Sequence, residues 1–252
     1  MELVLLHTAD MHGRLDDPGL ERLLQLRAGA TRYFDCGDAV KSGNVGAPTR
    51  QDPVWGRLSR AECDAGAPGN REFHVSSAAF RRKLRGCRHP LLAANMSWNG
   101  RAHKPLLPPP NRALLLGSQP PLASAMTLGD IGVFGVMVPM VTERMAARAV
   151  SAFLHRDPIE AARECVEWLR PRCKVLVALT HIGLRSDKRL AEEVPGVDII
   201  LGGHSHDLLE EPLRVGCTWI AHVGAHAYFA GVHEFKAGRL RTRLEPLRLQ
   251  GS

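Results

Sequence analysis

Four short apolar runs each stop at a turn that carries an acid or an imidazole, and this pattern limits the fold more than any other feature. LVLLH (3–7) runs into TADMH with Asp10 and His12, and RYFDC (32–36) runs into Gly37 and Asp38. KVLVALT (174–180) stops at His181, and VDIIL (197–201) stops at GGHSH with His204 and His206. Such runs, bounded by turn residues, read as buried strands. Between them lie segments with helical spacing: LERLLQLRAG (20–29), DPVWGRLSRAEC (52–63), VSSAAFRRKLRG (75–86), DPIEAARECVEWLR (157–170) and SDKRLAEEV (186–194). Strand and helix take turns, which predicts an α/β fold with parallel strands. In such sheets ligands bind at the carboxyl edge, where loops converge on a rigid base.

Local signals refine this reading. Asp157 stands at a helix N-cap and Pro158 at the first helical position. PLLAAN (90–95) is a short strand, ASAMTLGDIGVFGVMVP (123–139) a hairpin through Gly129 and Asp130, and YFAGVHEF (228–235) with GRLRTRLEPLRL (238–249) a second hairpin closing an edge. SWNGRAHKPLLPPPN (97–111) reads as a loop. A length of 252 residues at 44% hydrophobic content suits one domain over 1–252. No run approaches the roughly 18 apolar residues of a membrane span, and no basic leader with a cleavage site opens the chain, so a cytoplasmic protein with no membrane partner is expected. The six cysteines form no CxxC pair and read as buried thiols rather than a disulfide framework. The net charge of +7 draws anions, but FRRKLRGCRH (80–89) reads as the polar face and end of a helix, and 5% aromatic residues leave little for base stacking. Nucleic acid is therefore not the favoured partner.

The spacing of the strand-end residues has chemical content. In D-x-H and H-x-H, residues i and i+2 of an extended segment point to one side. Glycines before Asp38, Asn70 and His204 let the backbone turn close to a site; Asn70 itself follows only a weak strand signal, DAGAPGN (64–70). Carboxylate, imidazole and amide donors without thiolate suit Mn, Fe, Zn or Ni. Seven such residues exceed one tetrahedral site, whereas two ions sharing a carboxylate clamp both oxygens of an in-line displacement. His7, His89, His103, His155 and His233 read as structural. His222 and His226, in IAHVGAHAYF (220–229), stand evenly between ligand support and plain packing. Lys41 and Asn44 read as loop residues.

Taken in order, D-x-H, G-D, G-N, the lone His181 and G-H-x-H resemble the motifs of the calcineurin-like metallophosphoesterases. LLHTADMHG (5–13), FDCGDAV (34–40), LLAAN (91–95), ALTHIG (178–183) and VPGVDIILGGHSH (194–206) are similar to segments of the 5′-nucleotidase and UDP-sugar hydrolase branch. The resemblance runs over residues 2–235. It implies a four-layer α-β-β-α sandwich of two mixed sheets flanked by helices. It also implies two divalent metal ions, manganese first and Fe, Zn, Ni or Mg otherwise. Asp10, His12 and His206 would sit on one ion, Asn70, His181 and His204 on the other, and Asp38 would bridge them. The implied activity is hydrolysis of phosphoric esters by a bridging water or hydroxide, on a small phosphate ester such as a nucleotide.

The chain departs from the family in one loop. GNREFH (69–74) has Arg71 where GNHE has its His, and His74 where this branch usually has an orienting Asp. Arg71 can stabilise a transferring phosphoryl group but cannot protonate a departing oxygen, since it stays charged. His74 is the candidate proton donor, or a bystander. Members of the branch usually carry a C-terminal domain that grips the base, and none is expected within 252 residues. Two alternatives remain: a phosphodiesterase, nuclease or thiosulfohydrolase on the same scaffold, and a metal-retaining binding protein with little turnover because of Arg71.

Overall fold

The apolar runs form strands, and the strands pair into two large sheets. The computed structural model describes residues 2–43, 49–99, 114–115 and 121–248. The chain runs β1 (Glu2–Thr8), α1 (Asp17–Ala28), β2 (Arg32–Asp35), α2 (Val54–Arg60), β3 (Ala65–Gly66), α3 (Ser77–Lys83), β4 (Leu91–Leu92), β5 (Met96–Trp98), β6 (Leu114–Leu115), β7 (Pro121–Ala123), β8 (Ala125–Leu128) and β9 (Ile131–Met137). It continues with β10 (Phe153–His155), α4 (Pro158–Leu169), β11 (Val175–His181), α5 (Leu184–Glu193), β12 (Ile199–Gly202), β13 (Leu213–Val215), β14 (Thr218–His222), β15 (Phe229–Lys236) and β16 (Arg239–Pro246).

The first sheet has the order β16-β15-β1-β2-β3-β4-β7-β6 and the second β13-β14-β12-β11-β9-β8. Inner neighbours pair in parallel and outer ones antiparallel, as between β1 and β2 against β15 and β16. Both sheets are therefore mixed.

Alternation along each strand builds the layers. Leu3 and Leu5 of β1 meet Val177, Leu179, Ile199 and Leu201 in a core between the sheets. Leu6 faces the other way, with Tyr33, onto Leu20, Leu23, Trp55, Leu58 and Phe80 of α1, α2 and α3. In the second sheet Leu176, Ala178 and Ile200 turn outward onto Ile159, Ala162, Val166 and Leu190 of α4 and α5. A strand buried on both faces needs apolar residues at every position, which is why these runs do not alternate with polar residues. The result is the expected α-β-β-α sandwich. Each fully buried Leu, Ile or Phe contributes about 1.5–3 kcal/mol of transfer free energy, so the strand ends start from a stiff base.

Asp157 caps α4 by accepting from Ile159 N at 2.7 Å. The hairpin through Gly129 joins β8 to β9, and β15 with β16 closes an edge of the first sheet. Three antiparallel pairs among the described residues carry no sequence signal: the ribbon of β5 and β10, β6 beside β7, and β13 beside β14. α3 is shorter than its apolar spacing suggests. The expectation of a polar face for 80–89 fails at Lys83, which is wholly buried. Its ammonium donates to Gly43 O at 2.9 Å, Arg71 O at 2.6 Å and Phe73 O at 3.2 Å.

All six cysteines are free; Cys36, Cys63, Cys87 and Cys165 are buried, whereas Cys217 is exposed. Among the described residues no helix is long and apolar enough to cross a membrane. Residues 100–111 of the expected loop, with His103, and Asn44 lie outside the described residues.

Candidate metal centre

The loops after β1 and β2 are zipped together by their backbones. Asp10 N donates to Gly37 O at 2.8 Å, His12 N to Asp38 O at 2.8 Å and Gly13 N to Ala39 O at 2.6 Å. The side chains do not converge through extended backbone, as the i, i+2 spacing suggested. Asp10, His12, Asp38, His204 and His206 all have positive φ, from +50° to +83°. Asp and His tolerate the left-handed region better than most residues, yet each such position costs of order 1 kcal/mol or more and persists only where the surroundings enforce it. Gly69 is one enforcer of close approach: a Cβ there would fall on the Asp38 carboxylate and within 2.8 Å of His181 Nε2. Gly37, at φ +84°, lets that turn sit 2.6 Å from Gly69 N where a Cβ would be.

The donor atoms fall into two adjoining sets. In the first, His12 Nε2 and His206 Nε2 lie 3.7 and 3.4 Å from Asp10 Oδ1. In the second, Asn70 Oδ1 lies 3.2 Å from His181 Nε2 and 2.9 Å from His204 Nδ1. Asp38 stands between them, with Oδ2 3.5 Å from His12 Nε2 and Oδ1 3.5 Å from His181 Nε2. Most of these separations are too long for hydrogen bonds and suit atoms that share a cation. Asp10 Oδ1 and His12 Nε2 are buried with no hydrogen-bond partner among the described residues. Buried polar atoms are rarely left so, and the orphaned pair fits a divalent metal ion. A cavity of about 410 Å³ opens over both sets and is lined by His12, Asp38, Asn70, Arg71, His204 and His206.

The charges are tightly coupled. Burial pushes the Asp38 carboxyl up, but His12, His181 and the Arg71 N–H outweigh it and hold the group below the usual carboxylate range. Burial favours neutral His181, yet Asp38 beside it lifts the ring to about 9. His204 is lowered by its burial and by His181. A metal ligand must be a neutral imidazole or an ionised carboxylate, so cations compete here with protons.

Support beneath the donors comes partly from residues that carry no motif of their own. His181 Nδ1 lies 2.6 Å from Cys36 O and donates to it, which leaves Nε2 facing the site. Glu72 is wholly buried. Its carboxylate accepts from Gly69 N at 2.7 Å, Asp38 N at 2.9 Å and Val40 N at 3.1 Å, tying the two glycine turns together. An acid two places after Asn70 was visible in GNREFH, but its burial was not. His222, at the end of β14, is buried and pairs with Asp187 at 2.7 Å. His226 packs on His12, their Nδ1 atoms 3.2 Å apart.

Arg71 lies at the rim. Its backbone N donates to Asp38 Oδ1 at 2.7 Å, its Nε is 3.5 Å from Asp38 Oδ2, and its NH1 donates to Lys41 O at 3.2 Å. The side chain is 31% exposed. His74 does not line the cavity; its Nδ1 accepts from Ser76 N at 2.9 Å at the start of α3.

A four-layer sandwich whose strand-end loops gather carboxylates and imidazoles in two adjoining sets defines an α/β domain with side chains placed so that they could hold metal ions. A profile of the calcineurin-like phosphoesterase family matches residues 3–208, and the chain belongs to that family. The 5′-nucleotidase of Mus musculus is 27% identical over 233 residues, covering 82% of this chain and 38% of that protein. The solved 5′-nucleotidase precursor of Thermus thermophilus superposes with a TM-score of 0.74 at 19% identity, covering 98% of this chain and 54% of that one. The sulfate thiohydrolase SoxB of Thermus thermophilus superposes at 0.75 with 19% identity, covering 97% and 56%. The chain thus spans under half of the mouse protein and little more than half of the two solved chains.

Proposed function

We propose that this domain hydrolyses small phosphoric esters with the help of two divalent metal ions. The observation that carries the reading is the Asp38 carboxylate, with one oxygen turned to each donor set. Asp10, His12 and His206 would hold one ion, Asn70, His181 and His204 the other, and Asp38 both; manganese is the first choice for that oxygen and nitrogen set, with Fe, Zn, Ni and Mg as the other candidates. When bound, such a pair supplies Lewis-acid neutralisation of phosphoryl charge and activation of water.

The chain's own residues do the rest. Glu72 fixes the two turns that present Asp38 and Asn70, and His204 N holds Asp10 through Oδ2 at 2.8 Å. Arg71 brings a permanent cation to the mouth of the cavity and binds an anionic oxygen of the substrate, but moves no proton. The names of the mouse and Thermus 5′-nucleotidases favour a nucleotide among phosphate esters, and family membership makes hydrolysis the first reading.

The metal-loaded protein is expected to turn over p-nitrophenyl phosphate, and Asp38→Ala to abolish that turnover. Its bis ester, a nucleoside monophosphate and a sulfur ester in the same panel separate monoesterase, diesterase and thiosulfohydrolase action. A second reading, a metal-holding binding protein with little turnover, is favoured by Arg71 in place of the expected His; full metal occupancy with no activity across the panel would select it.

A further inference from the structure

An imidazole that presents one ring nitrogen to a cation carries its proton on the other, and whatever accepts that proton fixes the ring plane. For His181 the acceptor is Cys36 O, 2.6 Å from Nδ1. His12 is arranged differently. Its Nε2 faces Asp10 and Asp38 at 3.7 and 3.5 Å, while its Nδ1 lies 3.2 Å from Nδ1 of His226. One hydrogen fits between two imidazole nitrogens. With Nε2 given to a cation, His12 Nδ1 must carry that hydrogen and donate it, so His226 accepts through Nδ1 and keeps its own proton on Nε2. His226 therefore spends its acceptor nitrogen on His12 and is not itself a ligand.

The position of His226 is enforced by its surroundings. Its backbone N donates to Asp10 O at 2.7 Å, which couples its loop to the first donor set. His226 and Ala227 both have positive φ, +62° and +55°. Two successive non-glycine residues in that region are costly, and a ring that merely filled space would not require them. The ring also meets His12 edge-on at 4.8 Å, His206 at 5.6 Å and Tyr228 at 6.3 Å between centroids.

We propose that His226 is a positioning residue of the metal centre: by accepting the Nδ1–H of His12 it sets the tautomer and orientation in which His12 Nε2 meets the ion. This rests on the reading of the site given above. Loss of such an acceptor typically weakens metal affinity roughly 10- to 100-fold.

The test compares Zn²⁺ and Mn²⁺ affinity, by competition with a fluorescent chelator, in wild type, His226→Gly and His226→Asn. Both substitutes tolerate positive φ; glycine removes the acceptor, while the Asn Oδ1 takes a place near that of Nδ1. The glycine variant is expected to lose roughly 10- to 100-fold in affinity and the asparagine variant to recover most of it. Zinc-loaded wild type labelled with ¹⁵N-histidine is expected to show a proton on His12 Nδ1 and a scalar coupling across the N–H···N bond to His226. Wild-type affinity in His226→Gly, or a His12 protonated at Nε2, overturns this inference alone. A wild type that takes up no metal overturns the site reading as well.

Discussion

Arg71 reaches Asp38 through both its backbone and its Nε, and anchors NH1 on Lys41 O. The guanidinium is thus held over the Asp38 carboxylate, where it would attract anionic oxygen but offer no proton to a leaving group. Aryl phosphates and phosphoanhydrides, which depart without protonation, are expected to be better substrates than alkyl monoesters. Positioned general acids contribute about 10²–10⁴-fold, so Arg71→His should raise turnover of a nucleoside monophosphate by about tenfold or more relative to p-nitrophenyl phosphate; an unchanged ratio would count against this role. Asp35 makes a separate prediction. Burial raises its carboxyl to about 8, although Thr8 Oγ1 donates to it at 2.7 Å. An acid whose folded pKa lies above its unfolded value favours the proton-bound native state, so stability falls as pH rises from about 4 to 8. In metal-free protein, Asp35→Asn should raise the urea midpoint at pH 8 and lose that advantage by pH 4; equal gains at both pH values would contradict the assignment.

The loop after β3 shows how an element without regular structure is held. Glu72 accepts three backbone N–H groups below it, and Lys83 of α3 donates to three carbonyls, two of them in this loop. Removing one side of such a buried charged network leaves groups unsatisfied. Glu72→Gln should therefore cost about 2–4 kcal/mol in urea unfolding, with loss of bound metal, and a cost within about 0.5 kcal/mol would show that the carboxylate is dispensable. None of this clamp was legible beforehand. Glu72 and Lys83 sit in polar stretches, and only packing reveals that both turn inward. Long elements were readable because β1, β11 and β12 are buried on both faces and so uniformly apolar. The pairs β5–β10 and β13–β14 were not, since β5, β10 and β13 have three residues each, too few positions to show a period. At the rim, Asp10, His12, Asp38, His181, His204 and His206 could be singled out because each stands at or just past a strand end, and His12, Asp38 and His204 adjoin a glycine. Their convergence differs from the expectation: left-handed φ at Asp10, His12, Asp38, His204 and His206 replaces the extended geometry that the spacing suggests.

Over the whole molecule, two sheets and four layers exist to bring loops from both sheets to one rim. Asp10, Asp38 and Asn70 come from the first sheet, and His181, His204 and His206 from the second, so each donor set draws on both. A cation bound there ties the sheets together. Ligand that binds only the folded state stabilises it by about 2.7 kcal/mol at a hundredfold excess over Kd, so thermal unfolding should shift upward with Mn²⁺ and back with a chelator, and Asp38→Ala should abolish the shift. The most direct test is anomalous diffraction at the metal edge from metal-loaded crystals. Two peaks about 3.5–4 Å apart, with Asp38 between them, are the expected result. A single peak, or none at this rim despite saturating metal, would contradict it.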